Sequence, residues 1–219
     1  MRLDIYSDVI CPWCFIGKRR LERALAARPQ PDLAIHWRAF QLNPGMPPEG
    51  MDRQAYLEAK FGGSDRARRM FEMVRAAGAG EGIDFAFDRI KRTPSTLNAH
   101  RLVRFAAQYG LQARLLDAIF EAYFLEGRDI GSARVLADVA VAVGFERAAV
   151  RLYLQTEADA EAVLGEDRVA RRLGISGVPC FVFNGRFALS GAQEPEALFQ
   201  LFDLAREDDA MSRQLAAQA

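Results

Sequence analysis

A pair of cysteines, Cys11 and Cys14, lies between two short patterned segments and constrains the fold more than any other feature of the chain. Residues 2–7 alternate in character and predict a short buried strand. Residues 15–27 repeat apolar side chains at helical spacing, and residues 33–40 form a second β-type run. The N-terminal part of the chain therefore predicts a strand–helix–strand unit with the cysteine pair at the head of its helix.

The middle of the chain, residues 46–173, changes to helical patterns separated by glycine-rich breaks. The clearest breaks are Gly62-Gly63 and residues 78–82. After them the periodicity predicts helices over residues 97–109, 112–126, 132–143, 146–153 and 156–173.

Strand character returns near the C-terminus. Residues 180–183 are apolar, Asn184-Gly185 is a strong hairpin-turn signal, and residues 187–189 predict the returning strand. Pro195 then begins a final predicted helix that extends to about Glu207. We therefore predict an α/β fold. Residues 1–45 and 174–219 form its sheet-containing domain, and residues 46–173 form a helical insertion domain.

The spacing of the cysteine pair fits thiol–disulfide exchange. A thiolate is the attacking species, and the partial positive charge at a helix N-terminus stabilises it. We expect Cys11, just before the helix, to be the more exposed and more acidic thiol. Cys14 follows one helical turn later, so it can attack a mixed disulfide on Cys11. Pro12 suits the first helical turn, where a missing N–H has little consequence.

Two other interpretations of the pair remain open. Two buried structural cysteines would be inert, although a Pro12-Trp13 insert at a helix start is a poor choice for packing alone. A metal site would need further ligands, and only Cys180, His36 and His100 are available. We therefore predict no bound metal.

A second notable segment, Gly177-Val178-Pro179, comes directly before the third predicted strand. On its own it predicts only a turn. Cys180 follows it and has two interpretations. It is either a small buried core residue, as free cysteines commonly are, or a third redox thiol that pairs with Cys11 under some conditions.

Charge and composition argue against several function classes. Twenty-nine basic residues balance twenty-nine acidic ones, so nothing favours nucleic acid or anionic lipid. The basic run Lys18-Arg19-Arg20 predicts a solvated helix face. No apolar run approaches the roughly 20 residues of a membrane helix. No secretory leader pattern stands at the start, and the three cysteines do not suggest a secreted disulfide scaffold. We expect a soluble, cytoplasmic protein.

Four segments together resemble a known family, the FrnE-like branch of the DsbA-family oxidoreductases. They are residues 8–18 around the cysteines, Phe40-Gln41-Leu42-Asn43-Pro44, residues 95–101, and residues 177–193. The resemblance implies a thioredoxin-like fold (βαβ…ββα) interrupted by a helical insertion domain. It also implies Cys11 as nucleophile, Cys14 as resolving thiol and Pro179 as a cis-proline. Val178 would then offer its backbone to the substrate.

Relatives of this branch suggest the alternatives. The 2-hydroxychromene-2-carboxylate isomerases and kappa-class glutathione transferases share the fold, typically place serine where Cys11 stands, and use glutathione. We predict a thiol–disulfide oxidoreductase acting on a disulfide-containing protein or a small-molecule thiol. The alternatives are a glutathione-dependent isomerase or transferase, and a non-catalytic holdase. The redox centre is a Cys11–Cys14 disulfide, with glutathione as a possible cofactor and a homodimer as a possible assembly. Further candidate substrate contacts are Pro12, Trp13, Val178, His100 and Asn43.

Overall fold

The computed structural model describes residues 1–62 and 64–217, which form a central sheet covered by helices. The strands are β1 (Arg2–Ser7), β2 (Ala34–Ala39), β3 (Met51–Asp52), β4 (Arg92–Thr93), β5 (Cys180–Phe183) and β6 (Phe187–Ser190). The helices are α1 (Pro12–Ala27), α2 (Arg53–Phe61), α3 (Ser64–Ala79), α4 (Leu97–Ala107), α5 (Gln112–Phe124), α6 (Ala133–Val143), α7 (Arg147–Gln155), α8 (Ala160–Arg172) and α9 (Pro195–Ala217). None of these helices is long and apolar enough to cross a membrane.

The central sheet has the strand order β2-β1-β5-β6. β1 pairs in parallel with β2, so that Leu3 lies opposite Ile35. On its other side β1 pairs antiparallel with β5, where Leu3 lies opposite Phe183. β6 returns antiparallel to β5 after the predicted Asn184-Gly185 turn. The strand–helix–strand unit and the C-terminal hairpin thus build one sheet, as expected for the thioredoxin-like fold that the resemblance implies.

The two faces of the sheet carry different cores. Because side chains alternate along a strand, neighbouring residues of β1 and β5 point to opposite faces. Ile5 and Phe181 belong to the main core on the face covered by α1 and α9. Tyr6 and Cys180 lie on the other face and pack with Ala170 of α8. Each face of the central sheet is therefore covered by helices.

The helical insertion shares the main core with the sheet domain. Phe15, the residue after Cys14, stacks on Phe120 of α5 with ring centroids 5.1 Å apart. Phe85 meets Phe15 edge to face at 6.1 Å, and Phe124 lies parallel to it at 6.3 Å. Such aromatic pairs contribute roughly 0.5–1.5 kcal/mol each beyond the area that they bury. The helix that carries the cysteines is thereby fixed to the insertion.

The basic run at the start of α1 does not form a solvated face, contrary to our expectation. Lys18 is 2% exposed, and its Nζ donates to Asp117 Oδ2 of α5 at 2.6 Å. It also lies 6.0 Å over the Trp37 ring. The difference arises because α5 packs on this side of α1 and supplies a carboxylate from a distant part of the chain.

Several elements differ from those that the sequence predicts. The apolar repeat starts at residue 15, but helix α1 already begins at Pro12, as expected for a proline, which needs no N–H partner in a first turn. Helix α9 continues ten residues beyond Glu207, to Ala217. Its extension is anchored by Asn184, whose Nδ2 donates to Asp208 and Asp209 at 3.1 Å. The short strands β3 and β4 were not predicted, since two residues carry no periodicity.

Candidate active site

The cysteine loop connects the end of β1 to the start of α1. Cys11 is the N-cap of α1, with an extended backbone (φ −92°, ψ 111°), and Pro12 begins the helix. The Cys11 N–H donates to Asp8 O at 3.0 Å, and the Cys14 N–H donates to Cys11 O at 3.0 Å. The Cys11 sulfur therefore lies at the positive end of the helix, where unpaired N–H groups favour a thiolate.

The two thiols of the pair have different surroundings. Both are free, and Cys11 is 5% exposed whereas Cys14 is completely buried. Burial raises the pKa of the Cys14 thiol well above its usual range, and the adjacent Cys11 thiol raises it further. The Ser7 hydroxyl and the Asp8 backbone oppose this rise only in part. Of the two, Cys11 is the thiol that a substrate can reach first.

The loop before β5 lies against Cys11. The Val178–Pro179 peptide bond is cis, as the family resemblance implies. The Cys11 thiol donates to Val178 O at 3.4 Å, so residues far apart in sequence meet at the Cys11 sulfur. Gly17 of α1 allows the close approach, because a Cβ at this position would lie 2.8 Å from Pro179 Cγ. Pro179 is itself fixed through its carbonyl, which accepts from the Gly191 N–H at 2.8 Å.

A buried pair of an aspartate and a histidine supports the cysteine loop from behind. Asp8 is 0% exposed, and its Oδ1 lies 3.1 Å from His100 Nε2. Its Oδ2 accepts from the Leu42 N–H at 2.7 Å. We expected His100 to contact substrate, but the ring turns inward to this carboxylate and does not line the cavity beside Cys11. Sequence reasoning gave Asp8 no role; a charged residue directly before the apolar Val9 and Ile10 was the available signal.

A cavity of about 270 Å³ opens beside Cys11. Three predicted substrate contacts, Pro12, Trp13 and Val178, line it together with Cys11. The opposite wall comes from α2 and α3 of the insertion, whereas the sequence had suggested only His100 as the contribution of the insertion to the site. That wall comprises Arg53, Tyr56, Leu57, Lys60 and Phe61 of α2, and Met70, Phe71 and Val74 of α3.

Asn43 contributes to this cavity indirectly. It does not line the space, but its Oδ1 accepts from Tyr56 Oη and from Lys60 Nζ, both at 3.1 Å. Both of those side chains belong to the insertion wall. Asn43 thus positions two lining residues of α2 and makes no direct contribution to the wall.

Comparison with known proteins identifies the family. The family model described as the DSBA-like thioredoxin domain matches residues 2–203. The chain belongs to this family. It is 35% identical to the probable DsbA oxidoreductase SCO1869 from Streptomyces coelicolor, with a TM-score of 0.87 over 94% of this chain and 90% of that one.

More distant structures share the DsbA-family fold. The cytosolic disulfide reductase DsbM from Pseudomonas aeruginosa, solved with GSH, is 21% identical at a TM-score of 0.63, over 97% of this chain and 100% of that one. A 2-hydroxychromene-2-carboxylate isomerase is 18% identical at a TM-score of 0.67, over 100% of both chains. At these identities the likeness concerns the fold alone. DsbA-like oxidoreductases and an isomerase are therefore built on one architecture.

Cys180 lies apart from the cysteine pair of this DsbA-family chain. It is 4% exposed and packs with Tyr6, Phe40 and Val182 on the sheet face opposite the main core, to which Cys11 and Cys14 belong. Burial raises the pKa of its thiol. The location fits a small core residue, because Cys180 packs in a cluster to which neither Cys11 nor Cys14 belongs.

Metal-ligating side chains do not gather at this site. Among residues 1–62 and 64–217, no three His, Cys, Asp or Glu side chains form a group that could hold a metal ion. His36, one of the ligands considered from the sequence, lies on β2. His100 is engaged with Asp8. The chemistry available around Cys11 in the described residues is that of thiols, a backbone carbonyl and a helix N-terminus.

Proposed function

We propose that this DsbA-like protein exchanges disulfides through Cys11 and Cys14. One observation carries the proposal. The more accessible thiol belongs to the N-cap residue of α1 and donates to Val178 O, while its partner is fully buried, one turn further along the helix. This arrangement gives the two sulfurs separate tasks: Cys11 attacks the substrate, and Cys14 resolves the product of that attack.

The reaction proceeds in two exchange steps. The Cys11 thiolate attacks one sulfur of a substrate disulfide, and the other substrate sulfur leaves as a thiolate with the bonding electron pair. Cys14 then loses its proton and attacks Cys11 Sγ, which releases the second substrate sulfur as a thiolate. The substrate gains two electrons and the protein becomes the Cys11–Cys14 disulfide. The reverse sequence oxidises a dithiol.

The raised pKa of Cys14 has a role in the order of these steps. A buried thiol that keeps its proton does not compete with Cys11 for the substrate. Once a mixed disulfide forms, the Cys11 thiol no longer neighbours Cys14 as an ionisable group, so one of the influences that raise the Cys14 pKa is removed. Resolution therefore follows attack.

A return path for the protein disulfide belongs to the same proposal. We assign it to a cytoplasmic thiol such as glutathione, two molecules of which would reduce the pair and form glutathione disulfide. Support comes from the fold shared with DsbM, a cytosolic disulfide reductase solved with GSH. The absence of nucleic-acid and membrane features in the sequence agrees with a soluble thiol or disulfide substrate.

The deciding experiment is a titration in graded glutathione redox buffers. Trp13 lies between the cysteines, so its fluorescence should follow their oxidation, and mass spectrometry should map a reversible Cys11–Cys14 disulfide. We expect Cys14→Ser to accumulate a mixed disulfide on Cys11, Cys11→Ser to form none, and Cys180→Ser to behave as the wild type. A pair that never cycles, or turnover of a small molecule that survives Cys14→Ser, would support the glutathione-dependent isomerase instead.

A further inference from the structure

The wall opposite Cys11 combines an apolar surface with positive charge. Leu57 of α2 and Phe71 of α3 give the cavity its apolar side. Arg53 and Lys60 stand on α2, seven residues or about two turns apart, and line the same space. Among the residues that the structure describes, no Asp or Glu side chain lines it. The cavity therefore has a net positive lining with an apolar face.

Neither cation of this wall has a carboxylate partner in the described part of the chain. Arg53 Nη1 donates to the neutral Thr93 Oγ1 at 3.1 Å, and Lys60 Nζ donates to the amide oxygen of Asn43 at 3.1 Å. The guanidinium also lies 5.3 Å over the Phe71 ring. By contrast, Arg75 of α3, outside the cavity, pairs with a carboxylate oxygen of Asp88 at 3.0 Å. Neutral partners hold Arg53 and Lys60 in place and leave their charge available to a ligand.

We propose that this cavity takes a small aromatic disulfide or thiol that carries a carboxylate. The inference rests on the proposed function, since Cys11 must be the attacking thiol. The aromatic ring would lie on Leu57 and Phe71, and the carboxylate would accept charge-assisted hydrogen bonds from Arg53 and Lys60. The sulfur would reach Cys11 beside Val178 O. A volume of about 270 Å³ is slightly below the usual range of ligand pockets, about 300–1,000 Å³, and suits one ring better than a polypeptide.

The covalent step follows the exchange already described. The Cys11 thiolate attacks one sulfur of the aromatic disulfide, an Sγ–S bond forms, and the aromatic carboxylate thiolate leaves with the electron pair. Resolution by Cys14 releases the second aromatic thiolate. Two electrons pass from the protein dithiol to the ligand. The cations act on binding and orientation of the carboxylate and take no part in bond exchange.

The test compares an anionic and a neutral aromatic disulfide. The reduced protein is mixed with dithiobis(nitrobenzoate) or with dithiodipyridine, and each second-order rate constant is divided by that of mercaptoethanol with the same disulfide. The ratio of the two normalised constants measures preference for the carboxylate. We expect Arg53→Gln/Lys60→Gln to lower this ratio about tenfold or more. Arg75→Gln/Lys91→Gln removes the same charge outside the cavity and should lower it less than about twofold.

Additional variants and a peptide probe separate the outcomes. Arg53→Lys keeps the charge and should retain most of the preference, whereas an unchanged ratio in the double Gln variant would overturn the inference. It would also be overturned if a neutral peptide disulfide, normalised in the same way, reacts as fast as dithiobis(nitrobenzoate). The Cys11–Cys14 disulfide is mapped in each variant. If it forms throughout while the ratio does not change, the proposed function stands and the ligand assignment fails.

Discussion

His100 Nε2 and Asp8 Oδ1 lie 3.1 Å apart directly behind the cysteine loop, and both side chains are buried. The second carboxylate oxygen of Asp8 holds the Leu42 N–H, while the Asp8 carbonyl holds the Cys11 N–H. One acidic residue thus connects the end of β1, helix α4, the segment after β2 and Cys11.

Replacement of this acid should therefore destabilise the fold and disturb the loop. Asp8→Ala leaves the Leu42 N–H and the His100 ring without a partner in a buried site. We expect a loss of about 3 kcal/mol in the free energy of unfolding. Urea unfolding of the reduced protein measures it. Asp32→Ala, at an exposed position, should stay within about 0.5 kcal/mol of the wild type. Equal stability of the two variants would contradict a supporting role for the pair.

The close contact between α1 and the cis-proline loop can be tested by adding one methyl group to Gly17. Gly17→Ala places a Cβ 2.8 Å from Pro179 Cγ, so the loop that carries Val178 must shift. We expect about 1–3 kcal/mol of destabilisation and a slower reaction of Cys11 with a disulfide. Gly165→Ala is the control, because its Cβ meets only Arg168 Nη2 at 3.7 Å. That helical substitution should be neutral or stabilising by up to about 1 kcal/mol.

The stability of the reduced protein should fall at alkaline pH. Burial raises the pKa of the Cys14 thiol, whereas in the unfolded chain this thiol titrates near about 8.5. Above that pH the unfolded state binds fewer protons than the folded state. The free energy of unfolding therefore decreases as pH rises toward the folded-state pKa, by up to about 1.4 kcal/mol per pH unit. Urea unfolding from about pH 7 to about pH 10 should show a shallower decrease for Cys14→Ala. Identical pH slopes for the wild type and Cys14→Ala would exclude the Cys14 thiol as the origin of the decrease.

We predict that Cys180 is not needed for disulfide exchange. Its side chain packs with Tyr6 and Phe40 on the opposite face of the sheet. We expect Cys180→Ala to cost about 1 kcal/mol of stability through lost packing, with turnover of a disulfide substrate unchanged. Steady-state kinetics and urea unfolding measure the two effects. Loss of turnover in a folded variant, or a Cys11–Cys180 disulfide found by peptide mapping, would restore the third-thiol hypothesis.

Much of the fold follows from local sequence patterns. The alternation over residues 2–7, the Asn184-Gly185 turn and the periodicity after residue 97 each specify a local conformation that the structure contains. These signals depend on neighbouring residues only. The burial of Lys18 could not be predicted in this way, because its partner Asp117 comes from a helix far along the chain.

The candidate site likewise has features that local sequence predicts and features that depend on distant parts of the chain. The helix-capping position of Cys11 follows from the residues around it, and the family resemblance adds the cis-proline. The inward turn of His100 and the contribution of α2 to the cavity wall depend on how the insertion docks on the sheet domain. No periodicity in the sequence encodes that docking. The contact between His100 and Asp8 could therefore not be predicted, and His100 was expected in the cleft instead.

The stack of Phe15 on Phe120 has a consequence for protein engineering. Phe15 follows Cys14 in α1, and its ring packs on the Phe120 ring of the insertion. Each ring therefore completes the packing surface of the other part of the molecule. A chimaera that receives the insertion of a relative would need a matching ring on α1, or the graft would leave a hole beside the thiols. The lining of the cavity beside Cys11 is therefore better changed by substitutions on α2 and α3 than by exchanging the whole insertion.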